Sequence, residues 1–519
     1  MSSKFSMILV LLFMFSVTAV YAQSPASISV HKQVKPVFKG EVHNPVLKFE
    51  VMTSQNDVEA GQFDLQIGES TAHLIDAIEI YYTGSEQSSS AQQLAGRAGN
   101  ISAETSVQVN QPLEQGRNYF WVSVRLNDSA SLTDLLEINS KSVQLNGTGY
   151  HAESDRPHVA LRPAVKVRSG GQDDVHTYRI PGMATSNGGT LLAVYDIRRD
   201  NSGDLQGDID VGLSRSTDGG ETWEPMQVIM DMGEWGGRPQ RENGIGDPAI
   251  LIDRNTGTIW VAALWIHGYP DTHAWFSSRQ GMEPAQTGQF MLVKSEDDGR
   301  TWSEPINITD QIKQPEWHLL LMGPGNGITM SDGTLVFAAQ YKDENEMPWS
   351  TIVYSRDGGE NWSIGVPVRS NTTEAQVVET GEGTLMINMR DNRGGARAVY
   401  TTRNLGASWE EHASSRVLLQ EPVSMASLIR SSPAGSGYRH NYLLFSNPNS
   451  TSARVNMTVR LSRDDGKSWP LNQQVLLDEG RGFGYSSLTM VDEETVGILY
   501  EGERDLYFQK IRLEELKGH

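Results

Sequence analysis

The sequence contains no cysteine among its 519 residues. The lack of thiols excludes disulfide-stapled folds, zinc–thiolate sites, iron–sulfur clusters and cysteine nucleophiles. Basic residues are also scarce, because 43 Lys and Arg face 64 Asp and Glu and leave a net charge of −21. This deficit argues against nucleic acids and anionic membranes as partners. An apolar fraction of 38% with 12 Trp still provides for a large core, so wholesale disorder is excluded.

Long apolar runs are missing except near the N-terminus, where one predicts a signal peptide over residues 1–22. Lys4 supplies positive charge, residues 7–17 are almost wholly apolar, and Val20-Tyr21-Ala22 places small residues where a signal peptidase cleaves. A retained N-terminal anchor is the alternative. No later stretch approaches the ~18 consecutive apolar residues of a membrane helix. We therefore expect an exported chain, secreted or periplasmic, without a transmembrane segment once the signal is removed.

The pattern Ser-x-Asp-x-Gly-x-x-Trp recurs in the C-terminal two thirds of the chain. Its Asp can accept turn N–H groups and its Gly can adopt positive φ, so each copy predicts a hairpin turn. We expect each Trp to pack on its own sheet. The copies are STDGGETW at 216–223, SEDDGRTW at 295–302, SRDGGENW at 355–362, SRDDGKSW at 462–469 and the decayed TRNLGASW at 402–409.

Repeats at intervals of about 50–60 residues indicate radially repeated β units. Apolar runs bounded by glycine, at 191–195, 259–265 and 334–339, predict buried strands between the repeats. Long amphipathic helices are hard to find. The sequence therefore predicts an all-β fold with a six-bladed β-propeller over residues 160–519.

The N-terminal part has no copy of the repeat and predicts a smaller β-sandwich over residues 23–155. Residues 63–67 and 120–126 alternate as half-buried strands, and Asn146-Gly147 is a hairpin turn signal. The polar stretch 151–157 is interpreted as a linker to the propeller. An accessory role is expected for this domain, with carbohydrate binding and bracing of the propeller as the open alternatives.

Repetition marks the Asp-containing turns as structural, since one active site does not need four copies. The tetrapeptide Tyr178-Arg179-Ile180-Pro181 followed by these repeats resembles the sialidase (neuraminidase) family. The resemblance extends from about residue 165 to the end of the chain, and the N-terminal part is similar to the sandwich of some bacterial members. It implies a retaining exo-sialidase that releases terminal sialic acid from sialylated glycans.

The resemblance implies a substrate-binding arginine triad at Arg179, Arg390 and Arg454. Sialic acid carries a carboxylate on its anomeric carbon, and guanidinium groups offer permanently charged forks that match carboxylate geometry. Arg198 and Asp247 match further family residues that contact the sugar, Asp247 near the 4-hydroxyl and the N-acetyl group.

The resemblance also implies three catalytic residues. Asp204 matches the acid/base residue, Glu374 the buried glutamate, and Tyr485 the nucleophile that Glu374 activates. A neutral tyrosine suits an anomeric centre that already bears a carboxylate, because an anionic carboxylate nucleophile would be repelled there. A covalent tyrosyl-sialyl intermediate would follow.

Neighbouring residues of the same type compete with several of these assignments. The rivals are Arg393 and Arg397 for Arg390, Arg460 (expected on the same strand face) for Arg454, and Asp200 and Asp208 for Asp204. Trp265, Trp317 and Met322 are candidates for an N-acetyl pocket, although core packing is the favoured interpretation of each.

We expect no cofactor and no metal site. His267, His273 and Asp271 match no compact metal-binding spacing, and the chain has neither a phosphate-binding glycine loop nor a nucleophile elbow. Two alternatives to an exo-sialidase stay open: a non-catalytic glycan- or protein-binding propeller, and a trans-sialidase that shares the same residues.

Overall fold

The computed structural model describes residues 26–89, 93–381 and 383–518. The predicted signal peptide therefore lies outside the described residues. Within them the regular secondary structure is almost entirely strand, which confirms the all-β fold class. The helices of this part are single turns, and none is long and apolar enough to cross a membrane. They are the α-turns Glu69–Ala72, Ala274–Ser277, Thr309–Ile312 and Leu513–Leu516 and the 3₁₀ turns Gln172–Asp174 and Gln240–Glu242.

Two antiparallel sheets pack face to face in the N-terminal domain. Phe63 joins them, since its ring contacts Phe49 and Phe120 of the opposite sheet with 5.0 Å between centroids in each case. In spatial order the first sheet comprises Ala26–Lys32, Pro45–Thr53, Gly116–Leu126, Ile75–Tyr82 and Gln93–Ala98. The second comprises Thr148–His151, Ile138–Leu145, Glu59–Ile67 and Glu104–Pro112.

The predicted turn at Asn146-Gly147 joins two paired strands, and both residues have positive φ, 47° and 75°. This is the conformation of a two-residue primed turn, which Asn-Gly favours. The predicted linker 151–157 is tied to the sandwich rather than free. Ser154 pairs with Val30, and Asp155 accepts a hydrogen bond from the backbone N–H of Lys32 at 2.9 Å.

Six further sheets of the described chain, each of four or five strands, follow one another around a central axis, as in a β-propeller. Their inner strands run Thr177–Thr185, Ile245–Ile252, Ile328–Thr329, Thr372–Gly381, Ser427–Arg430 and Ser486–Asp492. Their middle strands are Leu191–Arg198 and Ile209–Ser216, Ile259–Trp265 and Gln289–Ser295, Leu335–Lys342 and Pro348–Ser355, Thr384–Asp391 and Ala398–Thr402, Leu443–Pro448 and Met457–Ser462, and Thr495–Glu501 and Leu506–Arg512. The outer strands are Gln227–Met230, Ile306–Asn307, Ser363–Ile364, Glu410–Glu411, Gln474–Asp478 and Arg162–Arg168.

Short accessory strands complete the described sheets. Gly325–Asn326 pairs with Ile245–Ile252, Leu319–Met322 with Leu335–Lys342, and Pro36–Phe38 with Arg162–Arg168. Gly395–Ala396 and Gln420–Glu421 pair with each other in a separate two-stranded sheet.

The ring closes because its first strand completes its last sheet. Arg162–Arg168 pairs antiparallel with Leu506–Arg512, so the two ends of the propeller share one sheet. Radial closure leaves only short, protected strand edges. Strands between stacked sheets are buried on both faces, which explains why Leu191–Arg198 is buried at every position and its first part reads as a continuous apolar run.

The repeated turns have the predicted geometry. In the first, Asp218 Oδ1 accepts the N–H of Thr222 at 3.0 Å and Ser216 Oγ accepts that of Gly220 at 2.8 Å. The repeat glycine has positive φ in all four intact copies: Gly220, Gly299, Gly359 and Gly466.

We expected each repeat tryptophan to pack on its own sheet, and this prediction is wrong for at least one of them. Trp469 does, against Phe445 at 5.9 Å between centroids, but Trp223 lies edge-on to Phe508 of the last sheet at 5.3 Å. The reason is the tight fit of the repeat glycine against the adjacent blade, since a Cβ on Gly220 would lie 2.1 Å from the Phe508 ring. The repeats therefore also join neighbouring blades.

One repeat connects the sandwich to the propeller. Glu221, within the turn 216–223, accepts hydrogen bonds from Lys39 Nζ at 2.9 Å, Lys510 Nζ at 2.8 Å and the backbone N–H of Leu132 at 3.1 Å. Leu132 itself is fully buried in a propeller cluster that includes Phe508. Although burial opposes it, these donors lower the pKa of Glu221.

Replacing Glu221 by Gln should therefore destabilise the protein by about 1–3 kcal/mol, because two part-buried ammonium groups lose their partner. The folded-state pKa is lowered, so the contribution is present above the unfolded-state pKa and lost as pH falls toward the folded value. Urea unfolding at neutral and acid pH measures the effect. Glu360→Gln is the matched control, because Glu360 has the same place in the turn 355–362 and is exposed. Equal losses in the two variants would contradict this role of Glu221.

Candidate active site

The inner strands of the propeller begin at one end of the central axis, and the predicted site residues meet there. Arg179, Asp247 and Glu374 lie near the starts of three inner strands, and Tyr485 directly precedes a fourth. A cavity of about 340 Å³ opens at this end. Its polar lining comprises Asp204, Asp247, His273, Gln340, Thr373, Glu374, Arg390, Asn392 and Tyr485.

Each of the three strands is irregular where it contributes its functional residue. The pairing register shifts between Arg179 and Gly182, between Gly246 and Ala249, and between Thr372 and Ala375. Ile180 and Asp247 also have positive φ, 56° and 57°. A bulge re-aims a side chain that a regular strand would direct into the sheet. Such backbone costs of order 1–3 kcal/mol for a non-glycine residue, so the surrounding fold must hold it in place.

Tyr485, Glu374 and Arg390 form a contact triangle. The Tyr485 hydroxyl donates a short hydrogen bond to Glu374 Oε1 and accepts one from Arg390 Nη1 at 3.1 Å. Arg390 Nη1 also donates to Glu374 Oε2 at 2.7 Å. Burial and the Glu374 charge raise the pKa of Tyr485 far above its ordinary value, against the opposing effect of the nearby arginines. The hydroxyl is therefore neutral and directed at a carboxylate.

Two more guanidinium groups flank the same tyrosine. The Cζ atoms of Arg179 and Arg454 each lie 5.3 Å from the centre of the Tyr485 ring. Arg454 is held by the carbonyl oxygens of Phe483 at 2.8 Å and Val423 at 3.1 Å. We expected Arg454 and Arg460 to lie on the same strand. Arg454 instead precedes that strand, which begins only at Met457.

Glu501, which the sequence analysis did not single out, connects this group. Its fully buried carboxylate accepts hydrogen bonds from Arg179 Nε at 3.1 Å and from the backbone N–H groups of Ile180 and Tyr485, both at 2.9 Å. One side chain therefore fixes the guanidinium, the strained backbone beside it and the tyrosine. Glu501 follows Tyr485 on the adjacent strand of the same hairpin, and that proximity is the only sequence signal for it.

Asp204 faces the arginines from the loop after Leu191–Arg198. Its Oδ1 accepts hydrogen bonds from Arg198 Nη1 at 2.7 Å and Arg179 Nη1 at 3.2 Å, and His273 Nε2 lies 3.4 Å from its Oδ2. Burial opposes ionisation, but the imidazole and the two guanidinium groups hold the pKa of Asp204 well below its ordinary value. His273 Nδ1 accepts the N–H of Trp275, which leaves the Nε2 proton for Asp204.

Asp196 organises the other side of Arg198. It is fully buried and accepts hydrogen bonds from Arg198 Nε at 3.0 Å and Nη2 at 2.8 Å. Its second oxygen accepts the backbone N–H of Asp247 at 2.8 Å, which fixes the positive-φ backbone there. Burial, followed by the charges of Asp196 and Asp204, raises the pKa of Asp247 well above its ordinary value. The cavity therefore presents one ionised and one readily protonated aspartate.

The rival residues lie outside this group. Arg397 is fully buried and paired with Glu421 at 2.9 Å, while Arg393 extends over Asp391 at the surface. Arg460 binds Asn449. Among the loop carboxylates only Asp204 lines the cavity beside Tyr485; Asp200 is exposed and Asp208 lies 3.7 Å from Arg199. The eight predicted site residues are the ones that converge.

The apolar wall of the cavity contains none of the three candidates for an N-acetyl pocket, Trp265, Trp317 and Met322. Trp265 packs on Trp235, Trp317 stacks on Tyr341 and Met322 is fully buried in the core. The wall is formed by Leu205, Leu264, Ala274, Trp275, Phe276, Leu319 and Leu321. Several come from the loop between Ile259–Trp265 and Gln289–Ser295, whose course depends on its capped helical turn.

Two protein-family models match this chain. A BNR repeat-like domain matches residues 189–498, and the N-terminal domain of BNR-repeat neuraminidase matches residues 25–149.

Several known proteins of related sequence or structure are named sialidases. A sialidase of Bacteroides fragilis is 49% identical over 78% of this chain and 75% of its own length. A sialidase of Micromonospora viridifaciens is 33% identical over 67% of this chain and 53% of its own. The solved structure of the Hadza microbial sialidase Hz136 is 44% identical, covers 94% of this chain and 100% of its own, and superposes with a TM-score of 0.90. The chain belongs to the sialidase (BNR-repeat neuraminidase) family.

Proposed function

We propose that the protein is a retaining exo-sialidase that releases terminal sialic acid from glycoproteins, glycolipids and oligosaccharides through a covalent tyrosyl-sialyl intermediate. The observation that carries the proposal is the Tyr485–Glu374–Arg390 triangle, flanked by Arg179 and Arg454 and faced by Asp204. A glycan-binding propeller would need arginines for the carboxylate, but it would not need a neutral tyrosine hydrogen-bonded to a part-buried glutamate.

The arginines support recognition of a carboxylate. Arg390 is mostly buried, and its Nε–H has no hydrogen-bond partner among the described residues. A buried donor without a partner is costly, so an incoming anion would satisfy it. The substrate carboxylate would lie between Arg179, Arg390 and Arg454, and this contact would fix the anomeric carbon against Tyr485. The adjoining apolar wall is suited to the acetamido group of sialic acid.

Glu374 is placed to activate Tyr485. As the phenolic oxygen attacks the anomeric carbon, its proton passes along the existing hydrogen bond to Glu374 Oε1. The high pKa of the buried Tyr485 prevents loss of this proton before attack. Glu374 lowers the barrier to attack by a protonated phenol, because it accepts the proton as the new bond forms. Arg390 touches both the phenolic oxygen and Glu374, so it would stabilise negative charge wherever the proton stands along the path.

Asp204 would donate a proton to the departing glycan oxygen. In the free protein its carboxylate is ionised because Arg179 and Arg198 bind it. When the substrate carboxylate binds Arg179, part of that positive charge is neutralised and water is displaced. Both changes raise the pKa of Asp204, so substrate binding itself would load the acid. In the second step Asp204 would deprotonate water, which attacks the anomeric carbon as its bond to Tyr485 breaks. Glu374 would return its proton to the departing phenolic oxygen, so both groups are restored and the configuration is retained overall.

Incubating the purified protein with sialyllactose and measuring free sialic acid tests the proposed activity. We expect sialic acid to be released with retained anomeric configuration, which proton NMR would monitor during the reaction. Binding without release would support the non-catalytic alternative instead.

Replacing Tyr485 by Phe should reduce kcat by roughly 10²-fold or more, because the nucleophilic oxygen is lost while the ring is kept. Steady-state rates on sialyllactose measure the change. Tyr500→Phe is the matched control: Tyr500 is also buried on the same sheet, and its hydroxyl binds Gln509 at 3.0 Å away from the cavity. An unchanged rate in the Tyr485 variant would remove this residue from the mechanism.

Replacing Asp204 by Ala should affect substrates according to their leaving groups. A sugar alkoxide needs a proton as it departs, which is worth roughly 10²–10⁴-fold, whereas an aryl leaving group departs readily without one. Pre-steady-state rates of the first step should therefore fall far more on sialyllactose than on 4-methylumbelliferyl sialoside. Asp208→Ala should spare both. Equal losses on the two substrates would mean that Asp204 only positions the sugar.

The pH dependence should show the effect of substrate on Asp204. Its lowered pKa in the free protein means that the protonated acid becomes scarce as pH rises, and kcat/KM reports the free protein whereas kcat reports the complex. The alkaline fall of kcat/KM on sialyllactose should therefore begin at lower pH than that of kcat. Coincident profiles would show that bound substrate does not change the pKa of Asp204.

A further inference from the structure

The end of the propeller axis opposite Tyr485 contains a second cavity of about 280 Å³. We call it the rear cavity. The last residues of the inner strands line it, because those strands begin at the active site and run toward it. They include Ala184, Ile252, Val378, Ile429 and Met490. The hairpin segment that contains Pro433 and Gly435 contributes another part of the wall, and the rear cavity shares no lining residue with the active site.

The three charged residues of the rear cavity are Arg254, Arg430 and Glu379. Glu379 is already fully engaged, since its carboxylate accepts hydrogen bonds from Ser331 N and Oγ, both at 2.7 Å, and from Gly383 N at 2.9 Å. It forms no ion pair with either arginine in the described chain. The cavity therefore has an excess of positive charge.

Neither arginine has a carboxylate partner among the described residues. Arg254 Nη1 donates to Asn187 Oδ1 at 3.2 Å, and Arg430 donates to Asn441 Oδ1 and to the carbonyl oxygen of Glu379 at 2.7 Å. Burial lowers the pKa of Arg254. A guanidinium group carries five N–H donors, so most of the donors of Arg254 are left for a ligand or water.

A neutral polar group in the same wall also lacks a partner. Asn326 donates through Nδ2 to the carbonyl oxygen of Leu488 at 3.3 Å, but its Oδ1 is buried and accepts no hydrogen bond in the described chain. An amide oxygen in this position would accept a hydroxyl proton. Apolar side chains around it, among them Ile252 and Leu488, lower the local dielectric and strengthen any polar contact made there.

We propose that the rear cavity is a second ligand site, which binds a small oxyanion with a hydroxyl group, a hydroxycarboxylate or hydrogen phosphate, through Arg254, Arg430 and Asn326. The guanidinium groups match the forked oxygens of either anion, and the hydroxyl satisfies Asn326 Oδ1. The volume limits the ligand to a small molecule, at the lower end of the ~300–1,000 Å³ of typical ligand pockets. The site is independent of the proposed sialidase activity, because the two cavities share no residue.

Calorimetric titration of the full chain with phosphate and with glycolate tests this site, with chloride at equal ionic strength as the reference. Arg254→Gln and Arg430→Gln should each weaken binding at least about tenfold, since each removes charged hydrogen bonds. Both should leave sialyllactose turnover unchanged. Arg300→Gln is the matched control, because Arg300 is exposed on a repeated turn. Acetate, which lacks the hydroxyl, should bind more weakly than glycolate.

The active-site arginines also attract anions, so the titrations are repeated with Arg390→Gln. Rear-site binding should persist in that variant. The proposal is overturned if wild-type protein shows no saturable binding beyond chloride, if Arg390→Gln abolishes all binding, or if Arg254→Gln and Arg430→Gln bind as wild type does. Should a Gln variant fail to fold, Arg254→Lys retains the charge without the fork, and wild-type affinity in it would equally contradict the proposed contact.

Discussion

The contact between a neutral tyrosine hydroxyl and the part-buried Glu374 is the constraint on which the active site depends. Tyr485 keeps its proton because burial and Glu374 oppose its ionisation, and Arg390 binds the other oxygen of Glu374 at 2.7 Å. In a low-dielectric site each of these polar groups would be costly without its partner. The triangle requires two blades to bring three side chains within hydrogen-bond distance, since Glu374 and Arg390 come from one sheet and Tyr485 directly precedes a strand of another.

The rigidity needed for this placement comes from closure of the ring and from buried acceptors. Glu501 and Asp196 each bind an arginine and, with the same carboxylate, the backbone of a second site residue. Strained backbone at Ile180 and Asp247 persists because these carboxylates hold the N–H groups of those residues. The scaffold therefore holds unfavourable backbone conformations where the chemistry needs fixed geometry. Such departures from local conformational preference are expected at functional sites.

The sequence predicted the parts of this design that are local. Turns with Asp and Gly at fixed spacing indicated radial β units, and the residues around Arg179, Asp204, Glu374 and Tyr485 could be assigned by family resemblance. It could not predict contacts that exist only after closure. Glu501 lies 322 residues from Arg179, His273 reaches Asp204 from an irregular loop, and Glu221 connects two domains from a turn that looked purely structural. Each depends on tertiary pairing, for which spacing along the chain has no signal.

Unsatisfied buried hydrogen-bond groups distinguish the cavity walls from the purely structural ion pairs of this protein. Arg397 is fully buried, and its charge is matched by Glu421 at 2.9 Å, so it needs nothing further. Arg390 is buried beside a cavity with an unsatisfied Nε–H, and Arg254 lines the rear cavity without a carboxylate partner in the described chain. A buried guanidinium with unused donors costs stability unless a ligand supplies the acceptor. The rear cavity meets the same criterion through Asn326, whose buried Oδ1 accepts no hydrogen bond in the described chain.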